Sequence, residues 1–145
     1  MKNKGITLIE VLAVIAIILI VTTVTWVALY RSIPHNQLFS ANEELISAIK
    51  DAQSSAVKTQ DNFIVRFDVN NKKYSVIEIV NDTEHLKGET ILPNRVSISA
   101  VNLTNNQVIF NSSGSVEYSG SIQLTNTLSE TRTIQINSSG FISNQ

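Results

Sequence analysis

The chain has 145 residues, with 11 basic and 12 acidic side chains, a formal net charge of −1 and no cysteine. That length suits one domain, and roughly a hundred residues remain for a soluble core once the first thirty are set aside. The lack of cysteine excludes disulfide scaffolds, thiolate zinc sites and cysteine nucleophiles, and a near-neutral balance supplies no global field towards nucleic acid or an acidic partner.

Lys2 and Lys4 precede Gly5, and from Val11 to Leu29 only Thr22, Thr23 and Thr25 carry side-chain polar groups of any strength. At ~1.5 Å of rise per residue, a helix from Ile6 to Tyr30 is long enough to cross a hydrocarbon core of roughly 30 Å. A cleaved secretory signal has a shorter apolar core of about 7 to 15 residues, followed by a small-residue cleavage site. Here the run ends instead in Trp26, Tyr30 and Arg31, a border suited to a membrane interface. A spanning helix is therefore expected, with Lys2 and Lys4 placing its N-terminus in the cytoplasm and the rest of the chain outside. Without those two lysines, 9 basic side chains face 12 acidic ones. Glu10 lies inside the start of the apolar run, where a carboxylate is costly enough to call for a specific partner. A free α-amino group at the start of a neighbouring copy would be one, once the leader is cut away.

The stretch Gly5-Ile6-Thr7-Leu8-Ile9-Glu10, followed by a long apolar helix, resembles the class III signal of type IV pilins and type II secretion pseudopilins. Ile6 stands where that family usually has phenylalanine, and the family's usual proline within the apolar segment is absent, Pro34 being the first. The resemblance implies that a prepilin peptidase cuts between Gly5 and Ile6, that Ile6 becomes N-methylated, and that Glu10 is the fifth residue of the mature chain and an assembly residue.

Further along, Leu38, Ala41, Leu45, Ala48 or Ile49, Ala52 and Ala56 recur at helical steps, predicting one apolar stripe. Asn42, Glu43, Lys50, Asp51 and Ser54 are expected on the opposite, polar face. Pro34 removes one backbone donor and should kink a continuous helix or begin a new one. A continuous helix from Ile6 to about Lys58 would be ~80 Å long.

After Thr59 the period becomes alternating. Phe63, Val65, Phe67 and Val69 predict a strand with one apolar face, and Asn70-Asn71 predict a tight hairpin into a strand over Lys73 to Val80. Asn81 to Thr90 is polar and charged and reads as a surface loop. Short strands are expected at Val96 to Val101, Val108 to Phe110, Val116 to Tyr118, Ser121 to Leu124 and Thr133 to Asn137, with Phe141-Ile142 closing the chain. Asn111-Ser112-Ser113-Gly114 and Asn137-Ser138-Ser139-Gly140 echo one another, each a turn whose glycine can take a left-handed conformation. Convergent turn chemistry accounts for the echo as well as duplication does.

Candidate catalytic chemistry is sparse. His35 follows Pro34, and His85 lies among Glu84, Lys87 and Glu89; neither has ligand-like spacing, and both read as solvated loop histidines. No phosphate loop, HExxH helix or GxSxG elbow occurs. Non-enzymatic function, no metal and no cofactor are expected. Lys72, Lys73, Lys87, Arg95 and Arg132 are the candidate DNA contacts, but only Arg132 is basic after Arg95, so no C-terminal basic patch forms in the sequence and DNA ranks as a minor reading.

The C-terminal pattern is similar to FimT/GspH-type minor pseudopilins, which implies a β-sandwich-like set of strands packed on the helix's C-terminal half. The expected fold is thus α+β: a leader over 1–5, a transmembrane and assembly helix over 6–30, an amphipathic continuation over 31–59, and an antiparallel β-rich extracytoplasmic domain over 60–145. The implied role is a structural subunit of a type IV pilus, a type II secretion pseudopilus or a competence pseudopilus. Its implied partners are the prepilin peptidase, other pilin or pseudopilin subunits, the inner-membrane assembly platform, and membrane lipid before assembly. Two alternatives stand beside it: a DNA-binding minor pilin of natural transformation, and a plain membrane-anchored extracellular binding module.

Overall fold

A computed structural model describes residues 7–144. Lys2, Lys4, Gly5 and Ile6 lie outside the described residues, as do the side chains of residues 24–29 and 31, Trp26 and Arg31 among them. The chain divides into two compact units, one up to Ile33 and one from Pro34 onward. One helix, α1 (Leu8–Thr59), contains Pro34. The proline removes a backbone donor without ending the helix.

In the first unit the described helix surface is apolar apart from Glu10 and the threonines, and Leu8, Leu12, Ile17 and Ile20 are all exposed. The hydroxyls of Thr22 and Thr23 donate back to the carbonyls of Ile18 and Ile20, at 2.7 and 2.8 Å, so these polar groups are satisfied within the helix itself. Among the described residues no helix is long and apolar enough to cross a membrane. Described side chains stop at Thr23 and resume at Tyr30, so the expected span from Ile6 to Tyr30 is covered only in part.

In the second unit the predicted stripe is buried: Leu38, Ala41, Leu45, Ile49, Ala52 and Ala56. Asn42 does not lie on the polar face. It is 1 % exposed, because its position, four residues before buried Ile46, falls on the flank of the same stripe. Its amide reached the inside through geometry rather than hydrophobicity, and neither of its side-chain polar atoms has a protein partner.

Among the described residues eight strands follow: β1 (Asn62–Asp68), β2 (Lys73–Val80), β3 (Thr83–Ile91), β4 (Val96–Asn102), β5 (Gln107–Phe110), β6 (Gly120–Asn126), β7 (Thr131–Ile136) and β8 (Ile142–Asn144). They form two four-stranded sheets, β3-β2-β1-β5 and β4-β6-β7-β8, with every pairing antiparallel. Phe63, Val65 and Phe67 from the first sheet, Ile122, Leu124, Ile134 and Ile136 from the second, and the helix stripe share one core. Each Phe, Val, Leu or Ile among them contributes about 1.5–3 kcal/mol on leaving water, so helix and sheets are held by the same burial.

The predicted β1–β2 hairpin forms, with Phe67 opposite Tyr74 and Asp68 opposite Lys73, but Val69 falls past the end of β1 and is exposed in the turn rather than on the strand's apolar face. Two expectations are corrected. The segment read as a loop from Asn81 to Thr90 is mostly strand β3, which pairs with β2 along its length. Nearly all of β3 is exposed on both faces, so no apolar alternation marks it in the sequence. Its entry turn is made by Asn81 and Asp82, both at positive φ (51° and 60°), the conformation that a primed hairpin turn requires. The second correction is Val116 to Tyr118, which forms no strand, only a single bridge from Val116 to Phe110.

Candidate functional site

Glu10 sits exposed in the first turn of α1. Its backbone N–H approaches the Thr7 hydroxyl at 3.4 Å and the Thr7 carbonyl at 3.1 Å. Thr7-Leu8-Ile9-Glu10 has the spacing of a capping box, in which Thr caps the helix and Glu occupies the third helical position. A carboxylate there also faces the positive end of the helix dipole. Thr7 is the residue that motif reading passed over; the T-x-x-E spacing ahead of an apolar run was the available signal. Around Glu10, Val11, Val14 and Ile15 line a shallow apolar depression, so a single anionic group is set in an otherwise apolar, uncovered surface.

The basic candidates divide between the two sheets. Lys72 (φ 51°) lies in the turn after β1, and Lys73 opens β2. The Lys73 ammonium is paired with Glu89 at 2.8 Å, and this pairing raises its pKa. Arg95 precedes β4, and its carbonyl accepts from the Thr127 N–H at 3.1 Å. Arg132 lies on β7 opposite Leu124. Lys87 pairs with Glu78 at 3.1 Å.

Neither histidine lies in a loop. His35 is on α1, with Nδ1 3.2 Å from Glu130 Oε2; Asn126 also donates to that oxygen at 2.7 Å. Asn126 and then His35 hold the Glu130 carboxyl below the usual range. His85 is on β3, opposite Glu78. Among the described residues no group of acidic or histidine side chains could hold a metal ion.

The repeated Asn-Ser-Ser-Gly segments fold identically. Asn111 Oδ1 accepts from the backbone N–H groups of Ser113 and Ser115, and Asn137 Oδ1 from those of Ser139 and Phe141, all within 2.9–3.1 Å. Gly114 and Gly140 take φ of 78° and 81°, which a side chain would resist. The two turns meet at one helix residue: Gln53 Nε2 donates to Gly114 O at 2.7 Å and to Gly140 O at 3.0 Å.

An N-terminal helix whose later part shares one core with two antiparallel sheets is the pseudopilin fold, and solved structures agree. The chain is similar to the minor pseudopilin EpsH of the type 2 secretion system of Vibrio cholerae (TM-score 0.63, 15 % identity, 74 % of this chain and 94 % of that one). A second EpsH structure gives a TM-score of 0.65 at 12 % identity, over 78 % of this chain and 97 % of that one. The type IV minor pilin FimU of Pseudomonas aeruginosa is similar as well (TM-score 0.62, 18 % identity, 77 % and 90 % coverage). No curated protein matches the sequence.

Residues 41–140 match the family described as Type II transport protein GspH, and residues 1–26 match the prokaryotic N-terminal methylation motif. The chain belongs to the GspH family. It is a subunit of the minor pseudopilin or pilin type, and pilin and pseudopilin families are structural subunits.

Proposed function

We propose that the chain is made as a membrane-inserted precursor, cut between Gly5 and Ile6 by a prepilin peptidase, N-methylated on Ile6, and drawn by an inner-membrane platform into a filament with other subunits of its kind. The supporting observation is the joining, in one chain, of a methylation motif over residues 1–26 to a GspH-type domain over 41–140. It acts as a scaffold element and not as an enzyme. Its N-terminus is cytoplasmic and its second unit extracytoplasmic, as Lys2 and Lys4 favour.

Physically, the apolar residues from Leu8 to Val21 are exposed in the isolated chain and must be covered by something other than water. Lipid covers them before assembly and neighbouring helices after it, so the apolar surface stays out of water throughout. Glu10 then meets the methylated amine of Ile6 on an adjacent subunit, and the two costly charges neutralise each other and fix the axial register.

Because Glu10 also occupies a capping-box position, the charge and the cap must be separated. Glu10→Gln keeps a residue suited to the third helical position and removes the carboxylate. The expected outcome is normal processing and normal helix content with at least about tenfold less incorporation into filaments, the loss of an ion pair worth ~1.4 kcal/mol or more. Wild-type incorporation of Glu10→Gln, measured by subunit quantification in sheared filaments, would sink the pairing mechanism.

A further inference from the structure

On the second sheet, strand alternation turns Ile98, Ile122, Leu124, Ile134 and Ile136 into the core and sends their neighbours to the opposite face. Read in register, that face carries three rows. Ser97, Thr125 and Thr131 form one; Ala100, Gln123 and Thr133 form the next, with Ser99 at the bulge; Asn102, Ser121, Gln135 and Ser143 cross all four strands. None of these residues carries a charge, and each is half-exposed or exposed. Hydrogen bonds run along the rows, from Ser99 Oγ to Gln123 Oε1 at 3.1 Å and from Asn102 Nδ2 to Ser121 Oγ at 3.2 Å. Where the last row ends, a cleft of about 410 Å³ is walled by Ser119, Ser121, Asn137, Ser143 and Phe141. Phe141 is 65 % exposed.

We propose that this outer face, bounded at one end by Phe141, binds a neutral polysaccharide. A charged polymer would meet no counter-charge on the rows and would lose hydration without return. An apolar ligand would strand the hydroxyls and amides it covered. A neutral chain of sugar rings satisfies both limits. Its hydroxyls donate and accept, as do those of Ser and Thr and the amides of Asn and Gln, and its C–H faces suit an exposed phenyl ring. Adjacent strands lie about 4.8 Å apart, so an extended saccharide laid across them meets a hydroxyl or amide at each step. The face lies entirely in the second unit, and its binding does not rest on the processing or assembly proposed above.

The test uses the full-length protein in a detergent without a sugar headgroup. Saturation-transfer NMR is recorded with cellotetraose, chitotetraose and maltotetraose, with polygalacturonate as the charged probe, and with a neutral Ser/Thr-rich peptide. Saturation transfer to at least one of the three neutral saccharides is expected. Phe141→Ala and Gln123→Ala should each weaken that saccharide by up to about tenfold, roughly the loss of one stacking contact or of one hydrogen bond. Glu84→Gln on the first sheet should leave binding unchanged. Circular dichroism of Phe141→Ala should match the wild type, since the ring is exposed. Absence of transfer to all three saccharides, equal transfer to polygalacturonate or to the peptide, or unaltered binding by both face variants would overturn the proposal.

Discussion

The two sheets share one core yet present opposite exteriors. The first carries charge on its outer face, where Arg66 reaches Glu84 with two hydrogen bonds of 2.6 and 3.0 Å and Lys73 reaches Glu89, while Lys87 reaches Glu78 on the inner side, opposite Phe63. These pairs surround β3, an edge strand that buries almost nothing. Charged side chains on such an edge also discourage pairing with another chain. The second sheet carries no charge on its outer rows, and its β7–β8 turn meets the turn after β5 of the first sheet at Gln53. The charged pairs are interactions that salt screens, whereas the Gln53 junction is short-range geometry that salt does not reach. The contrast separates a sheet whose surface supports its own edge from one whose surface is free for a neutral ligand.

The largest effect expected from breaking this contrast is at Gly140. A Cβ there would run into the Gly114 carbonyl and the Gln53 amide, at a φ of 81°. Gly140→Ala should cost ~2–3 kcal/mol, read as a lowered midpoint in thermal or denaturant unfolding of the second unit. Gly88→Ala on β3 is the matched control, because a Cβ there has nothing within 4 Å and the change should be close to neutral. Gln53→Ala should come next. It leaves two turn carbonyls without their shared donor at a part-buried site, a loss of about 1–2 kcal/mol, and this loss should persist in high salt.

The smallest effect belongs to the charged sheet. Arg66 lowers the Glu84 pKa, chiefly by hydrogen bonding. A carboxylate with a depressed folded-state pKa adds stability above its ordinary unfolded value, and that stability fades as pH falls through the folded value. Unfolding midpoints should therefore drop on the acid side of the carboxylate range. Arg66→Gln should flatten that acid limb, and so should raised ionic strength, because both groups are exposed enough to be screened. An acid limb unchanged by either would show that charge does not hold this exterior together.

The sequence made some of this plain and hid the rest for physical reasons. The β1–β2 hairpin was legible because Phe63, Val65 and Phe67 alternate into the core and an Asn-rich turn follows. β3 was hidden because alternation records burial, and a strand exposed on both faces has none to record. Its Asn81-Asp82 turn was the one usable signal. Asn42 misled because residue chemistry was weighed above helical position. Val116 to Tyr118 has strand-like residues but gains only one bridge. The Asn-Ser-Ser-Gly echo was visible as two turns, whereas their joint attachment to Gln53 depends on residues 61 and 87 positions away, which no local pattern encodes. At the N-terminus, the Gly5 to Glu10 motif pointed to the family that the comparisons support. The capping relation of Thr7 to Glu10 was carried by the T-x-x-E spacing ahead of the apolar run.

The central proposal, that this chain is a processed filament subunit, rests on the peptide bond between Gly5 and Ile6. Intact-mass measurement of the protein extracted from membranes tests it most directly. The expected mass is that of residues 6–145 plus one methyl group on Ile6, and Gly5→Val should leave the precursor uncut. A wild-type protein that keeps residues 1–5 and gains no methyl group would contradict the account and leave a plain membrane anchor in its place.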